Sequence, residues 1–416
     1  MTFILVFAVL FLMDYYVYQP FRSILKNKTH GLQKGLKIAY WSLPVLVVVG
    51  AIVYPMVNDW DLSRYLRYSL MTVFLFNYAP KLFVSIFLLI HDFIGLMSWV
   101  VKNLHSRAEH RSNVKNGLTR SEFISKAALI SATAPIALLG FGIVKGAHDY
   151  RVIRRRIVLP DLPKSFDGIK IGHLSDIHTG SFFNRMAVKG GIDLFMAEKP
   201  DVIFFTGDLV NNATSEVNEY IDLFAGLKAP LGIFSVTGNH DYGDYSRWPN
   251  QEAKDRNFKD LMKAHELMGF DLLMNENRKI ELGGERLGII GIENWGAGRF
   301  QKYGDLDKAY KGSEEAPVKL LLSHDPSHWD AQVRPKHPDI DVMFAGHTHG
   351  FQFGVEIGDF KWSPAQYLYK QWADMYQQDS QYLYVNRGFG FIGYPGRIGI
   401  APELTIIELS RQDSVI

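Results

Sequence analysis

The chain has no cysteine among its 416 residues, so no disulfide framework holds it together. This absence favours neither side of a membrane, because a cysteine-free protein needs no particular redox compartment. No internal repeat or low-complexity tract stands out, and the formal net charge is only +2. The chain is long enough for two or more domains.

The near-zero net charge conceals two unlike parts. Residues 1–156 hold 19 Lys and Arg against 7 Asp and Glu, whereas residues 157–416 hold 26 against 36. The first part combines basic residues with long apolar runs, as membrane segments do. The second part has the composition of an acidic globular domain. An acidic domain lacks the basic face that binds phosphate backbones, so we expect no nucleic-acid partner.

Four apolar runs in the first part are candidates for membrane spans, which need about 20 helical residues. The runs cover residues 1–18, 38–57, 68–101 and 123–144. The first has no basic start and no small-residue cleavage site, which favours a span over a signal peptide. We therefore predict a four-span transmembrane module over residues 1–150, a linker over 151–164 and a globular domain over 165–416.

Three ionisable residues, Lys81, His91 and Asp92, lie inside the third run. Such groups are costly in lipid and often functional. The run is about 50 Å long as a helix, however, which exceeds a bilayer core of about 30 Å. The same residues could therefore lie at the level of the lipid headgroups, and the sequence leaves both interpretations open.

Lys and Arg in the short loops predict the orientation, because they are more frequent on the cytoplasmic side. The first and third loops are rich in them, at Arg22, Lys26, Lys28, Lys34, Lys37, Lys102, Arg107, Arg111, Lys115 and Arg120. The second loop has only Arg64 and Arg67, beside Asp59 and Asp61. We expect an integral protein of a bacterial inner membrane, with the globular domain on the periplasmic or extracellular side.

Two further features bear on that orientation. Arg151 and the arginines at 154–156 follow the fourth run. They oppose the predicted orientation, since their positive charges could hold that end of the run in the cytoplasm. Residues 119–126 favour export, because they resemble a degenerate twin-arginine signal in which Ser121 stands in place of the second arginine. An ordinary basic flank of a membrane helix explains residues 119–126 equally well.

Five apolar strands of the second part are each followed by a turn that contains Asp, Asn or His. These strand-and-turn segments are 169–178, 202–208, 232–241, 318–325 and 341–350. Strands alternate with helical stretches, which is typical of α/β domains, where ligands bind at the carboxyl ends of the strands. Imidazole, carboxylate and amide groups there are suitable ligands for Mn²⁺, Fe or Zn²⁺. The pattern predicts that the five turns meet in one metal-binding crevice.

The turns carry five motifs in a fixed order. They are Asp176-Ile177-His178, Gly207-Asp208, Gly238-Asn239-His240-Asp241, His324 and Gly346-His347-Thr348-His349. This order resembles the signature of calcineurin-like metallophosphoesterases, over roughly residues 157–410. The resemblance implies an α/β fold of two packed mixed β-sheets flanked by helices, a four-layer sandwich, which here follows a helical transmembrane module.

The resemblance also implies a centre of two divalent metal ions. Asp176, His178 and His349 would hold the first ion, Asn239, His324 and His347 the second, and Asp208 would bridge both. An anionic bridge is physically reasonable, since two cations about 3.5–4 Å apart repel each other. His240 is implied as the group that helps the leaving oxygen depart, with Asp241 orienting its ring. The ions would be Mn, Fe or Zn.

We therefore expect a membrane-anchored, dinuclear phosphoester hydrolase in which a metal-activated hydroxide attacks a phosphomonoester or phosphodiester. The anchor favours a lipid or lipid-linked phosphoester substrate; a nucleotide-sugar lipid pyrophosphate would be met on the cytoplasmic face instead. One alternative is a membrane sensor or scaffold whose metal domain binds without turnover. Another is a transporter with the hydrolase as an accessory domain.

Several residues near the motifs have two interpretations. Asn211 could contact substrate or cap a helix, and Arg387 could meet a phosphate or pair with an acidic neighbour. Phe351 follows Gly350 where related proteins often have a second glycine, which shapes the mouth of the site. Six aromatic residues in predicted loops could contact lipid or fill small cores; they are Phe182, Phe183, Trp362, Tyr367, Tyr369 and Trp372.

Overall fold

A computed structural model describes residues 2–57, 60–104, 120–358 and 360–411. The chain divides into two compact units, Met1–Phe141 and Gly142–Ile416. This division lies before the boundary that we predicted at residue 150. Asp59, Arg107, Arg111, Lys115 and Thr119, which entered the predictions above, lie outside the described residues.

Long helices build the first unit and lead into the second. They are α1 (Thr2–Leu25), α2 (His30–Val53), α3 (Trp60–Leu104) and α4 (Arg120–Val144). Within the described residues, three segments are long and apolar enough to cross a membrane: His30–Val53, Tyr65–Val101 and Ile130–His148. These overlap the second, third and fourth predicted runs. The first run lies in α1, and its crossing of the membrane stays a prediction. Arg64 and Arg67, predicted in a loop, lie in α3.

A buried polar cluster links the first three helices. Asp14 of α1 is 1% exposed, and its carboxylate accepts a hydrogen bond from the Lys81 ammonium of α3 at 2.6 Å. The Tyr40 hydroxyl of α2 donates to the Asp14 backbone carbonyl at 2.7 Å. Lys81 is therefore paired within the helical unit. Asp92, in contrast, is exposed and accepts a hydrogen bond from the Tyr16 hydroxyl at 2.6 Å.

Two six-stranded mixed sheets form the centre of the second unit. In spatial order, the first sheet contains β1 (Arg151–Val158), β14 (Glu403–Ser410), β2 (Lys170–Leu174), β3 (Val202–Phe205), β4 (Ile233–Ser235) and β5 (Asp271–Leu272). The second sheet contains β12 (Asp374–Gln378), β13 (Gln381–Val385), β9 (Val342–Ala345), β8 (Lys319–Leu322), β7 (Glu285–Gly291) and β6 (Glu276–Leu282). Strands β2 to β5 are parallel neighbours, as are β7, β8, β9 and β13.

The remaining elements lie outside these sheets. The helices are α5 (Arg185–Met196), α6 (Ile221–Phe224), α7 (Gln251–Met268), α8 (Leu306–Tyr310) and α9 (Arg334–Lys336). A separate antiparallel hairpin joins β10 (Val355–Ile357) to β11 (Phe360–Trp362).

The central strands are apolar on both faces because a hydrophobic core covers each face of each sheet. In β3, Val202 and Phe204 pack into the core between the sheets, while Ile203 and Phe205 pack into the outer core that contains α5 and α7 side chains. The rings of Phe204 and Phe344 meet between the sheets at a centroid distance of 5.0 Å. A further core covers the outer face of the second sheet. The predicted helix–sheet–sheet–helix sandwich is therefore confirmed.

The predicted linker over 151–164 is wrong in its first part. Residues Arg151–Val158 form β1, which pairs in parallel with all eight residues of β14. The arginines that suggested a membrane flank belong to this edge strand. Arg154 pairs with Glu198 at 2.5 Å, and Arg155 pairs with the largely buried Asp374 at 2.6 Å. Charged side chains of this kind are common on edge strands, where they prevent further strand pairing.

Candidate metal centre

The five predicted turns come together at the carboxyl ends of parallel strands. Strands β2, β3 and β4 are neighbours in one sheet, and β8 and β9 are neighbours in the other. The predicted ligands follow β2 (Asp176 and His178), β3 (Asp208), β4 (Asn239), β8 (His324) and β9 (His347 and His349). All seven side chains are buried or nearly so. The structure thus brings the whole predicted set into one crevice.

Asp176, His178 and His349 form one group able to hold a cation. Their ligand atoms lie within 4.8 Å of one another. His349 Nε2 is 3.0 Å from His178 Nε2 and 3.2 Å from Asp176 Oδ1. This group has the membership that the family resemblance implied for the first ion.

Asp208, His324 and His347 form a second such group. His324 Nε2 is 3.1 Å from Asp208 Oδ2 and 3.2 Å from His347 Nδ1. The same Asp208 oxygen is 3.5 Å from His178 Nε2 of the first group. Asp208 therefore lies between the two groups, as a bridging carboxylate must.

Asn239 provides an independent test of whether a cation fits here. Its amide nitrogen donates to the Tyr245 hydroxyl at 2.8 Å, while its amide oxygen is buried and has no hydrogen-bond partner within the described residues. A buried carbonyl oxygen without a partner is costly, and a cation is a partner that would remove the cost. The donor set, which combines imidazole, carboxylate and amide oxygen, suits Mn²⁺, Fe and Zn²⁺.

The backbone at the ligands is strained in a way that sequence patterns did not indicate. Five ligands adopt positive φ, namely Asp176 (52°), His178 (51°), Asp208 (60°), His347 (71°) and His349 (51°). Left-handed backbone at non-glycine residues is uncommon and concentrates at functional sites. Two motif glycines permit the close packing of these turns. A Cβ atom on Gly346 would lie 2.1 Å from Asp176 Oδ2, and one on Gly238 would lie 2.2 Å from Asp208 Oδ1.

Burial and charge set the protonation of the histidine ligands. Burial lowers the pKa of His178 and of His347, which favours the neutral imidazole that a cation requires. Burial by itself would also lower the pKa of His324, but the adjacent Asp208 carboxylate raises it to about 10. A cation in the second group therefore competes with a proton on His324.

The predicted contact between Asp241 and the His240 ring is wrong. The Asp241 carboxylate is fully buried and accepts backbone N–H groups from Asp208, Leu209 and Gly238 at 2.8–2.9 Å. Burial, followed by the Asp208 charge, raises the pKa of Asp241 to about 7, while its N–H donors oppose this shift. Asp241 is therefore a positioning residue that ties the turn after β3 to the turn after β4.

The His240 ring is oriented by a backbone carbonyl instead. Its Nδ1 lies 2.7 Å from the Asn211 oxygen, and because a carbonyl can only accept, Nδ1 carries the proton. Asn211 in turn donates its side-chain amide to the Ser181 hydroxyl at 2.8 Å. Asn211 thus supports the His240 ring rather than capping a helix. His240 also lines the catalytic cavity described next.

The ligands open into a cavity of about 570 Å³, the catalytic cavity. His240 lies on its floor with the metal ligands, and aromatic side chains form much of its wall. The wall aromatics are Tyr245, Phe300, Phe351, Tyr369 and Tyr394. Tyr369 places its hydroxyl 2.8 Å from His347 Nε2, which leaves His347 Nδ1 facing the second metal group. Sequence analysis missed this role because Tyr369 carries no motif signal.

Two arginines near the cavity are structural. Arg387 pairs with Glu403 and, at 2.7 Å, with Glu356, so the interpretation as an ion-pair partner holds and the one as a phosphate ligand does not. Arg397 is fully buried, and its guanidinium donates to the backbone carbonyl oxygens of Arg387 and Gly388 at 2.8 and 3.0 Å. Its guanidinium also lies 3.2 Å from His349 Nδ1.

Comparisons with known proteins agree with this geometry. Residues 169–351 match the family model described as "Calcineurin-like phosphoesterase". Residues 1–147 match the model described as "Probable Calcineurin-like phosphoesterase, transmembrane domain".

Three curated relatives show how far the similarity extends. The "Uncharacterized metallophosphoesterase YkuE" of Bacillus subtilis is 31% identical over 60% of this chain and 81% of its own length. The "Transmembrane protein with metallophosphoesterase domain" of Danio rerio is 30% identical over 67% of this chain. This chain spans only 61% of the length of that fish protein. An "Uncharacterized metallophosphoesterase" of Helicobacter pylori is 26% identical over 79% of this chain and 80% of its own length.

The role assigned to Asp241 predicts the behaviour of Asp241→Asn. An amide offers one acceptor oxygen where the carboxylate offers two, so at least one buried N–H loses its partner, at a cost of about 1–3 kcal/mol. We expect a lower unfolding temperature of the full-length protein in detergent, together with a lower bound-metal content. Asp260→Asn, at an exposed position of α7, is the matched control. Unchanged stability and metal content in Asp241→Asn would show that its hydrogen bonds do not hold the site.

Proposed function

We propose the reaction that this chain catalyses from the fact that it belongs to the calcineurin-like phosphoesterase family. It is accordingly a phosphoester hydrolase that depends on divalent metal, and it carries a transmembrane domain. The finer proposal is that it works with two cations, one at each group described above, with Asp208 between them. The observation that carries this proposal is the position of Asp208 Oδ2, 3.1 Å from His324 Nε2 and 3.5 Å from His178 Nε2.

The residues of the centre have separate tasks in this proposal. Asp176, His178 and His349 hold one cation, and Asn239, His324 and His347 hold the other. Bound cations would supply Lewis acidity, which neutralises phosphoryl oxygens and lowers the pKa of water. The wall of the catalytic cavity is largely aromatic, and electrostatic effects are stronger beside such apolar surroundings than in bulk water.

His240 is the proposed proton donor to the leaving oxygen. Its Nδ1 proton is held by the Asn211 carbonyl, so the ring is fixed and Nε2 can hold a second proton toward the catalytic cavity. Donation from Nε2 would neutralise the alkoxide as the phosphorus–oxygen bond breaks. Tyr245 packs on the ring at a centroid distance of 4.5 Å and limits its rotation.

A membrane-embedded phosphoester is the proposed substrate class. The candidate span Ile130–His148 continues into the second unit, where its Gly142 carbonyl accepts the N–H of Arg397 at 3.2 Å. A Cβ atom on Gly142 would lie 2.5 Å from the hydroxyl of Tyr394, which lines the catalytic cavity. One wall of this cavity therefore adjoins a residue of a candidate membrane span. That proximity favours a phospholipid or another lipid-linked phosphate over a freely soluble one.

A direct test uses purified full-length protein, added Mn²⁺ and an aryl phosphodiester. We expect hydrolysis by the parent and none by Asp208→Ala or His347→Ala, because each change removes a ligand of the second group. His337→Ala is a suitable control, since His337 pairs with Asp307 outside the cavity. Parental activity in both ligand variants would contradict the site assignment.

The role of His240 predicts a dependence on the leaving group. In His240→Gln, hydrolysis of an alkyl phosphodiester should fall by roughly 10²–10⁴-fold, the usual contribution of general acid catalysis. A nitrophenyl ester should lose much less, because its leaving oxygen needs no proton. Steady-state rates for the two substrates measure the difference. Equal losses for both esters would indicate that His240 supports the site without donating a proton.

The proposed location is a bacterial inner membrane, with the catalytic domain on the periplasmic or extracellular side. Arg154 and Arg155 no longer oppose this orientation as free flanking charges, because both are paired within the second unit. Since the chain lacks cysteine, single substitutions can report the topology without background.

This orientation predicts the labelling of exposed single-cysteine variants. Lys263→Cys in α7 should react with an impermeant maleimide in intact spheroplasts, whereas Lys26→Cys, in the first predicted loop, should react only after permeabilisation. The reverse pattern would place the catalytic domain in the cytoplasm and make a cytoplasmic lipid pyrophosphate the better substrate candidate.

A further inference from the structure

The hairpin formed by β10 and β11 has an apolar face and a charged face, and the charged face is the one that points inward. Its register pairs Val355 with Trp362, Glu356 with Lys361 and Ile357 with Phe360. Because side chains alternate between the two faces of a strand, the four apolar residues share one face and the two charged residues share the other. We call these the apolar face (Val355, Ile357, Phe360 and Trp362) and the charged face (Glu356 and Lys361).

The charged face points toward the body of the domain. Glu356 pairs with Arg387 at 2.7 Å, and Arg387 is itself held by the buried Glu403. Lys361 pairs with Asp374, which is 5% exposed and also pairs with Arg155. Removing Glu356 or Lys361 would take away one counter-charge of a buried group, which is destabilising. These ion pairs therefore fix the hairpin with its apolar face outward.

The apolar face is open on the surface of the second unit. Ile357 is 73% exposed and Phe360 is 62% exposed. Tyr367 and Leu368, which follow β11 closely in sequence, are each 73% exposed. Scattered exposed apolar residues are normal on protein surfaces. Several of them on one face of a hairpin whose orientation is fixed by ion pairs indicate an interaction surface.

The base of the hairpin is attached to the loop that meets the membrane segment. Gly354 N–H donates to the Ile398 carbonyl at 2.9 Å, and Ile398 N–H donates to the Gln352 carbonyl at 2.7 Å. The adjacent Arg397 N–H donates to the carbonyl of Gly142, which lies within the candidate span Ile130–His148. Adjacent residues of one loop thus contact both the base of the hairpin and the candidate span. Because this connection is short, the bilayer that such a span would cross is the apolar phase for which we argue.

We propose that the apolar face of the β10–β11 hairpin inserts into the interface of the bilayer in which the chain is anchored. Trp and Tyr favour the headgroup region, and Ile and Phe favour the acyl boundary beneath it, which matches the composition of this surface. The hairpin adjoins Phe351 and Gln352 of the catalytic cavity wall, so insertion would hold the mouth of this cavity at the lipid surface. The proposal concerns a binding surface and does not require that the centre be catalytic.

The test places an environment-sensitive fluorophore on single-cysteine variants of the full-length chain. Ile357→Cys carries the label on the apolar face, and Glu281→Cys, exposed on the β6–β7 hairpin of the same unit, is the matched control. Both labelled proteins are reconstituted into phosphatidylcholine–phosphatidylglycerol vesicles with and without lipids brominated on the acyl chain. We expect a blue-shifted emission at position 357 that brominated lipid quenches, and neither effect at position 281.

Two results would overturn the proposal. Equal, weak quenching at positions 357 and 281 would show that the apolar face remains in water. Blue-shifted emission at position 357 without quenching by brominated lipid would show that protein, either a second copy or another partner, covers the face. Circular dichroism and thermal unfolding of each labelled variant check that the fold is retained. Because no step depends on turnover, failure here is distinguishable from failure of the hydrolase assignment.

Discussion

One carboxylate oxygen, Oδ2 of Asp208, lies between two sets of imidazoles. The arrangement of the proposed metal centre depends on the position of this oxygen. Two cations bound at these sets would repel each other, and an anion between them offsets the repulsion. Several features hold Asp208 in place: its left-handed backbone, its close packing against Gly238, and the hydrogen bond from its N–H to Asp241. Asp241, expected to act on His240, is thus better understood as a support for Asp208.

Strained turns need a rigid base, and the sandwich provides one. Left-handed backbone at a non-glycine residue costs about 1–3 kcal/mol, so five such ligands together are a substantial local cost. Strands β3 and β9 precede three of these ligands and are completely buried. Their side chains interlock between the sheets through Phe204 and Phe344. The core therefore offsets the strain and holds the predicted ligands in position.

The sequence predicted well which side chains meet in the crevice, because each motif follows an apolar strand, and strand ends on one edge of a sheet must be neighbours. It failed where the partner is distant or carries no pattern. Strand β1 was mistaken for a linker since its partner, β14, lies about 250 residues away and its arginines resemble a membrane flank. The contact of Tyr369 with His347 and that of Asn211 with His240 had no local signal, because they depend on loop conformation. The inward-facing charges of the β10–β11 hairpin became visible only once Arg387 and Asp374 were located.

The central claim is that Asp208 bridges a close pair of cations, and low-temperature electron paramagnetic resonance of the Mn²⁺-loaded full-length protein tests it most directly. A carboxylate-bridged pair of Mn²⁺ ions is magnetically coupled, so the account predicts the broad, closely spaced hyperfine pattern of a dinuclear centre. The signal of isolated Mn²⁺ alone, at full metal loading, would contradict it.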